Sequence, residues 1–312
     1  MINEFKFVSI LVIFSAFLTF GCGQGGSNGD SATNAASESA PALVGAPPDS
    51  TSSQTIYGVT IDSVVNLAET VKSLRSLPFK PTTRIVFDEN VSAANYVNAA
   101  AQIHAVSFVM GEILDSFFMK TITTEAYAAR TSEYMNALGS NVDIWEIGNE
   151  INGEWLGDTP SVVAKMNAAY NLVKAKRKAA ALTLYYNAGC LPNQTNEMFT
   201  WAQNNVSAAM KGGLDYVFIS YYEDDCNNLQ PNWPEVFKKL ATIFPNSKIG
   251  FGEVGSIDAA KKAAFINRYY NMKINLPNYV GGYFWWYFSQ DMVPSTSPLL
   301  KTLNAAIINS QK

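Results

Sequence analysis

Histidine is almost missing from this sequence: His104 is the only one in 312 residues. Zinc and iron centres usually draw on several imidazoles or on paired cysteines. The three cysteines, Cys22, Cys190 and Cys226, show no CxxC spacing, so no metal or other cofactor is expected. Lysine and arginine total 22 against 26 acidic residues, a net charge of −4, and no Lys/Arg run stands out. A nucleic-acid partner would need a basic surface, so that class is set aside. No GxGxxG follows the first strand-like segment, where "YGVTIDS" holds a single glycine, which argues against a dinucleotide-binding open sheet. The one long apolar run, at 7–20, is too short to span a bilayer comfortably.

That run follows Lys6 and ends in "LTFGC" at Cys22, so residues 1–22 read as an export signal. Its end resembles the lipobox of bacterial lipoproteins, with Leu18 one place earlier than usual. The resemblance implies lipidation of Cys22 and a place in the cell envelope, with the membrane reached only through the lipid. Residues 23–54 are mostly Gly, Ser, Ala, Asn, Asp and Pro, without one aromatic. Such a segment cannot bury enough apolar area to offset its ordering entropy, and it is expected to act as a flexible tether. The globular part is then 55–312, expected as a monomer. In an exported chain the remaining cysteines, Cys190 and Cys226, are expected to form a disulfide.

What the sequence has in quantity is apolar and aromatic residues, 48% and 12%, enough for a large core. Strand-like runs fall at 55–60, 83–88, 105–111, 142–149, 182–188, 215–222, 248–254 and 281–288. Helix-period segments lie between them, near 62–75, 92–103, 123–138, 161–180, 196–210, 234–243 and 258–272, with a last one at 298–309. Thr159 before Pro160 reads as a helix start. Eight strand–helix units in a chain of this length predict a single (β/α)₈ barrel.

A barrel places its chemistry at the C-terminal ends of its strands. There strand four, in "NVDIWEIGNEINGEW", runs from apolar residues into Asn149 and Glu150. Strand seven carries Glu253, strand six ends in Tyr221 and Tyr222, strand two holds Arg84, and strand eight holds Trp285 and Trp286. Two carboxylates across one barrel mouth are what glycoside hydrolysis requires.

These residues together resemble glycoside hydrolase clan A, the retaining (β/α)₈ glycosidases. "WEIGNE" is similar to the strand-four signature of its arabinofuranosidase, β-xylosidase and heparanase-type families, and "ISYY" to the galactanase-type strand six. The resemblance implies Glu150 as general acid/base, Glu253 as nucleophile, Asn149 on the sugar 2-hydroxyl, and Arg84 and Tyr222 holding the nucleophile. Ser220 then stands where other families carry histidine. Trp286 is expected beneath the sugar, with Trp285 and Tyr221 packing outward by alternation.

Trp155 and Glu154 could form an outer subsite or only a helix-leading turn. Asp62, Asp88, Glu112 and Asp115 fit solvated loop charges as well as sugar ligands, and "EDDCNN" at 223–228 reads as a solvated acidic loop. The expected partner is a polysaccharide or oligosaccharide. The competing reading is a catalytically silent barrel lipoprotein that binds carbohydrate, since fold alone does not separate the two.

Overall fold

The structure, a computed structural model, describes residues 55–190 and 194–311. The expected export signal, Cys22 and the tether lie outside the described residues. Eight parallel strands close into a barrel in chain order. They are β1 Ile56–Ile61, β2 Thr82–Val86, β3 Phe108–Glu112, β4 Ile144–Glu146, β5 Ala179–Tyr185, β6 Tyr216–Tyr221, β7 Lys248–Val254 and β8 Gly281–Trp285. Around them run α1 Leu67–Arg75, α2 Val97–His104, α3 Thr124–Leu138, α4 Thr159–Ala175 and α5 Met198–Asn205. The ring continues with α6 Ala208–Gly213, α7 Trp233–Ile243, α8 Ala259–Tyr270, α9 Phe288–Asp291 and α10 Pro298–Ser310. The expected (β/α)₈ barrel is the fold.

Local departures have local causes. The helix expected over 196–210 is two, because Val206 turns extended and Ser207 caps a new start, accepting from Met210 N at 3.3 Å. α4 is capped by Asp158 rather than Thr159: the carboxylate accepts from Ser161 N at 2.9 Å, with Pro160 in the first turn. Strands four and eight are shorter than their apolar runs. The chain after Glu146 leaves the sheet in turns, and the end of the eighth run becomes α9.

Inside the barrel an apolar layer of Met110, Ile144, Ala181, Phe218 and Phe284 forms the floor. Two residues further along β3 and β4 stand Glu112 and Glu146, register partners that face inward with Arg84, the β2 partner of Met110, and all three are buried. Trp145, Phe251 and Trp285 point the other way, into the core shared with the helices. Strand seven breaks the alternation. It pairs with β6 as far as Ile219 opposite Phe251, after which Ser220 faces Glu253 and Gly252 is skipped. Phe251 packs outward on Trp233, Phe237 and Tyr269, so strict alternation would send Glu253 outward as well. The extra residue turns Glu253 into the barrel. A Cβ on Gly252 would lie 2.6 Å from the Phe218 Cβ, so glycine is what lets the bulge form.

The rim loops are pinned by buried cations and by a covalent bridge. Arg130 on α3 donates to the carbonyls of Phe87, Asp88, Glu89, Val91 and Ile113, and Lys165 on α4 donates to Met119 O at 2.7 Å. Cys190 and Cys226 form the expected disulfide between the loops after β5 and β6, with Cα atoms 5.0 Å apart. Among the described residues no helix is long and apolar enough to cross a membrane.

Candidate active site

Glu253 is held at both oxygens. Its Oε2 accepts from Arg84 Nη1 at 2.8 Å and its Oε1 from the Tyr222 hydroxyl at 2.6 Å. Burial, and then the Glu253 charge, push the Tyr222 phenol well above its usual pKa, so it remains an O–H donor. Arg84 also donates to Glu146, from Nε at 2.6 Å and Nη2 at 3.1 Å, and its Nη2 lies 3.0 Å from Glu112 Oε2. Thr183 adds a short hydroxyl bond to Glu146.

One guanidinium thus faces three buried carboxyl groups. Burial works against its charge, but Glu112, Glu146 and Glu253 outweigh that and raise the Arg84 pKa further. Glu112 shifts in the sense of a neutral acid. Burial first, then the neighbouring carboxylates, lift it well above the usual range despite Arg84. Its Oε1 meets no hydrogen-bond partner among the described residues.

Glu150 follows β4 in a left-handed backbone conformation, φ 46°, and is 3% exposed. Such a φ on a residue with a side chain costs about 1–2 kcal/mol, and it aims the carboxylate at the barrel axis. Ser220 Oγ donates to Oε1 at 2.7 Å and Ser116 Oγ to Oε2 at 3.1 Å. Ser220 is also the register partner of Glu253 across the β6–β7 ladder, so the strand position beside Glu253 is the one that holds Glu150. Ser116 Oγ accepts in turn from Trp155 Nε1 at 3.1 Å.

Asn149 is buried beside Glu150, and its Oδ1 has no partner among the described residues. Trp286 is half-buried, its ring 5.6 Å from the Arg84 guanidinium, whereas Trp285 is fully buried with Nε1 donating to Asp291 at 2.9 Å. Tyr221 points outward against Tyr186 and Trp233. The structure therefore brings Arg84, Asn149, Glu150, Tyr222, Glu253 and Trp286 to one end of the barrel.

Several expectations need correction. Glu112 is not a solvated loop charge, because it is the last residue of β3 and points inward under Arg84. "EDDCNN" is solvated only in part, at Asp225, Asn227 and Asn228. Glu223 is buried against Arg268 and Tyr269, and Asp224 bonds Lys261 and Ser256, each at 2.6 Å. Asp115 caps its own turn through Phe117 N at 2.8 Å, Asp88 accepts from Tyr96 at 2.7 Å, and Asp62 accepts from Gln290 at 2.6 Å. Among the described residues no group of three or more His, Cys, Asp or Glu is arranged to hold a metal ion.

Two contributors went unnoticed in the sequence. Glu146 was legible as a charge in the middle of an apolar strand, two residues after the inward Ile144. Ser116 carried no local signal.

No protein-family model matches this sequence, and no curated protein does. Two solved structures of Gas2p from Saccharomyces cerevisiae are similar in fold. One is in complex with laminaritriose and laminaritetraose, the other with laminaripentaose. Each is 14% identical with a TM-score of 0.54, over 82% of this chain and 65% of that one. The chain thus spans about 65% of the length of the yeast chains it matches, and at this identity the likeness is one of fold.

Proposed function

We propose that the barrel is a retaining glycoside hydrolase, cleaving O-glycosidic bonds of a polysaccharide or oligosaccharide by double displacement. The observation that carries this reading is the Glu253 carboxylate, fixed at both oxygens by Arg84 and Tyr222, at the same end of the barrel as a second buried carboxylate, Glu150, which Ser220 holds from the strand beside Glu253. A binding barrel gains little from holding a carboxyl group so firmly inside its mouth.

In the proposed reaction Glu150 gives a proton to the leaving oxygen while Glu253 attacks the anomeric carbon. Glu150 then takes a proton from the water that releases the sugar. Arg84 positions Glu253 through its 2.8 Å contact without entering the chemistry. The Asn149 amide, with Oδ1 unpaired, supplies a hydrogen-bonding group for a sugar hydroxyl. Laminari-oligosaccharides, bound in the similar yeast structures, are the first substrates to try.

Wild type and Glu253→Gln, incubated in parallel with a glycan panel, test the assignment. Only the wild type should release product, and equal digestion by both removes Glu253 from its role. Glu150→Gln should lower kcat by about 10²–10⁴-fold on substrates with poor leaving groups. Proton NMR of the first-formed product should show retained anomeric configuration, and an inverted product rejects double displacement.

The proposal includes export and lipid attachment at Cys22, supported by the apolar run before it and the polar segment after it. Labelled palmitate should enter the wild type and not Cys22→Ser. Labelling that persists in the variant rejects the anchor.

A further inference from the structure

We infer that a groove beside Glu150 is a subsite for the leaving-group side of the substrate, taking a ring of a neutral pyranose chain. The inference rests on the glycosidase reading above. The groove holds about 500 Å³ and is lined by Glu89, Phe117, Phe118, Lys120, Thr121 and Trp155, a size that suits a small-ligand site.

Its position assigns its side. Trp155 forms one wall, and its Nε1 donates to Ser116 Oγ, which donates to Glu150 Oε2. One wall of the groove is therefore two hydrogen bonds from the proposed proton donor. The group leaving a glycosidase departs on the side of its acid. A chain that continues past the cleaved bond enters this space.

Its chemistry assigns the ligand. Phe117 is 48% exposed, and its ring meets Phe118 edge to face with centroids 5.1 Å apart. Aromatic faces left at a polar rim are suited to the C–H face of a sugar. One glutamate and one lysine balance in charge and offer an acceptor and a donor for hydroxyls. A sulfated or uronic-acid chain would find no excess of cations here.

Its walls are built, not loose. Arg130 holds the Glu89 carbonyl at 3.0 Å, Lys165 holds the Met119 carbonyl at 2.7 Å between Phe118 and Lys120, and Asp115 holds Phe117 N at 2.8 Å. Both cations are buried. These bonds hold the loops without a ligand, which removes part of the entropic cost of binding.

The test uses the full chain carrying Glu253→Gln, with and without Phe117→Ala. Laminaripentaose, xylopentaose and mannopentaose are titrated in and followed by calorimetry. At least one pentasaccharide should bind, and Phe117→Ala should weaken that one about tenfold, the equivalent of about 1.4 kcal/mol. Phe117 is too exposed for its removal to unfold the chain, and an unchanged melting curve would verify this. Binding of none of the three, or binding unaffected by Phe117→Ala, overturns the subsite. Turnover by the Phe117-intact wild type is scored separately. Binding that Phe117→Ala weakens, without hydrolysis, sinks the glycosidase reading and with it the leaving-group role, leaving the groove as a sugar-binding site only. Hydrolysis with no response to Phe117→Ala sinks the groove and leaves the glycosidase.

Discussion

Arg84 brings one positive charge to three buried carboxyl groups, and burying unbalanced charge costs several kcal/mol per ion. Burial and the neighbouring carboxylates push Glu112 toward its neutral form, and its Oε1 lacks the bonds its neighbours have. Glu146 accepts from Arg84 and Thr183, and Glu253 from Arg84 and Tyr222. Glu112→Gln, which mimics the neutral acid, should therefore leave the fold intact. Glu146→Gln should cost at least about 2 kcal/mol, since it removes a charged bidentate partner.

The pH dependence has a definite sign. The Glu112 pKa is raised in the folded state, so the folded chain binds more protons than the unfolded one above the ordinary carboxylate pKa. Stability then falls as pH rises from that point until Glu112 itself ionises, by up to about 1.4 kcal/mol per pH unit. Melting midpoints measured against pH should show this fall in the wild type and a flatter profile in Glu112→Gln. Parallel profiles would mean that Glu112 is already ionised.

At the level of elements, alternation along a strand predicts facing only while the ladder is regular. It put Trp285 and Tyr221 outward, and the structure agrees. It could not place Glu253, because the bulge at Gly252 is set by how β7 meets β6. The spaced glycines of "GFGEVG" hint at close approach without saying which residue is skipped. The rim elements are fastened separately. The Cys190–Cys226 bridge closes a segment with a sequence separation of 36, and on loop entropy its loss should cost roughly 3–4 kcal/mol. Chemical denaturation of wild type and Cys190→Ser should show that difference. Two free thiols titrated in the unreduced wild type would contradict the bridge.

For the molecule as a whole, closure depends on the last helix as much as on the last strand. α10 buries Leu300, Leu303 and Ile307 and ties its end to β1 through Ser310 and the Tyr57 hydroxyl at 2.7 Å. Those three side chains contribute roughly 5–9 kcal/mol together, comparable to the whole stability of a typical domain. A chain ending before Pro298 should show no cooperative unfolding transition by circular dichroism, and a retained sharp transition would show that the barrel closes without α10.

The barrel itself was determined by local pattern. Eight apolar strands alternating with helices leave few ways to cover every strand face, and Asn149, Glu150, Arg84 and Tyr222 come to the rim by where their strands end. What the tertiary structure decided is which acids are charged, which are buried and which face inward. Glu146 and Glu253 meet Arg84 across sequence separations of 62 and 169 residues. Ser116 reaches Glu150 from another loop. The strength of a buried charge depends on everything packed around it, and that surrounding comes into existence only when the barrel closes.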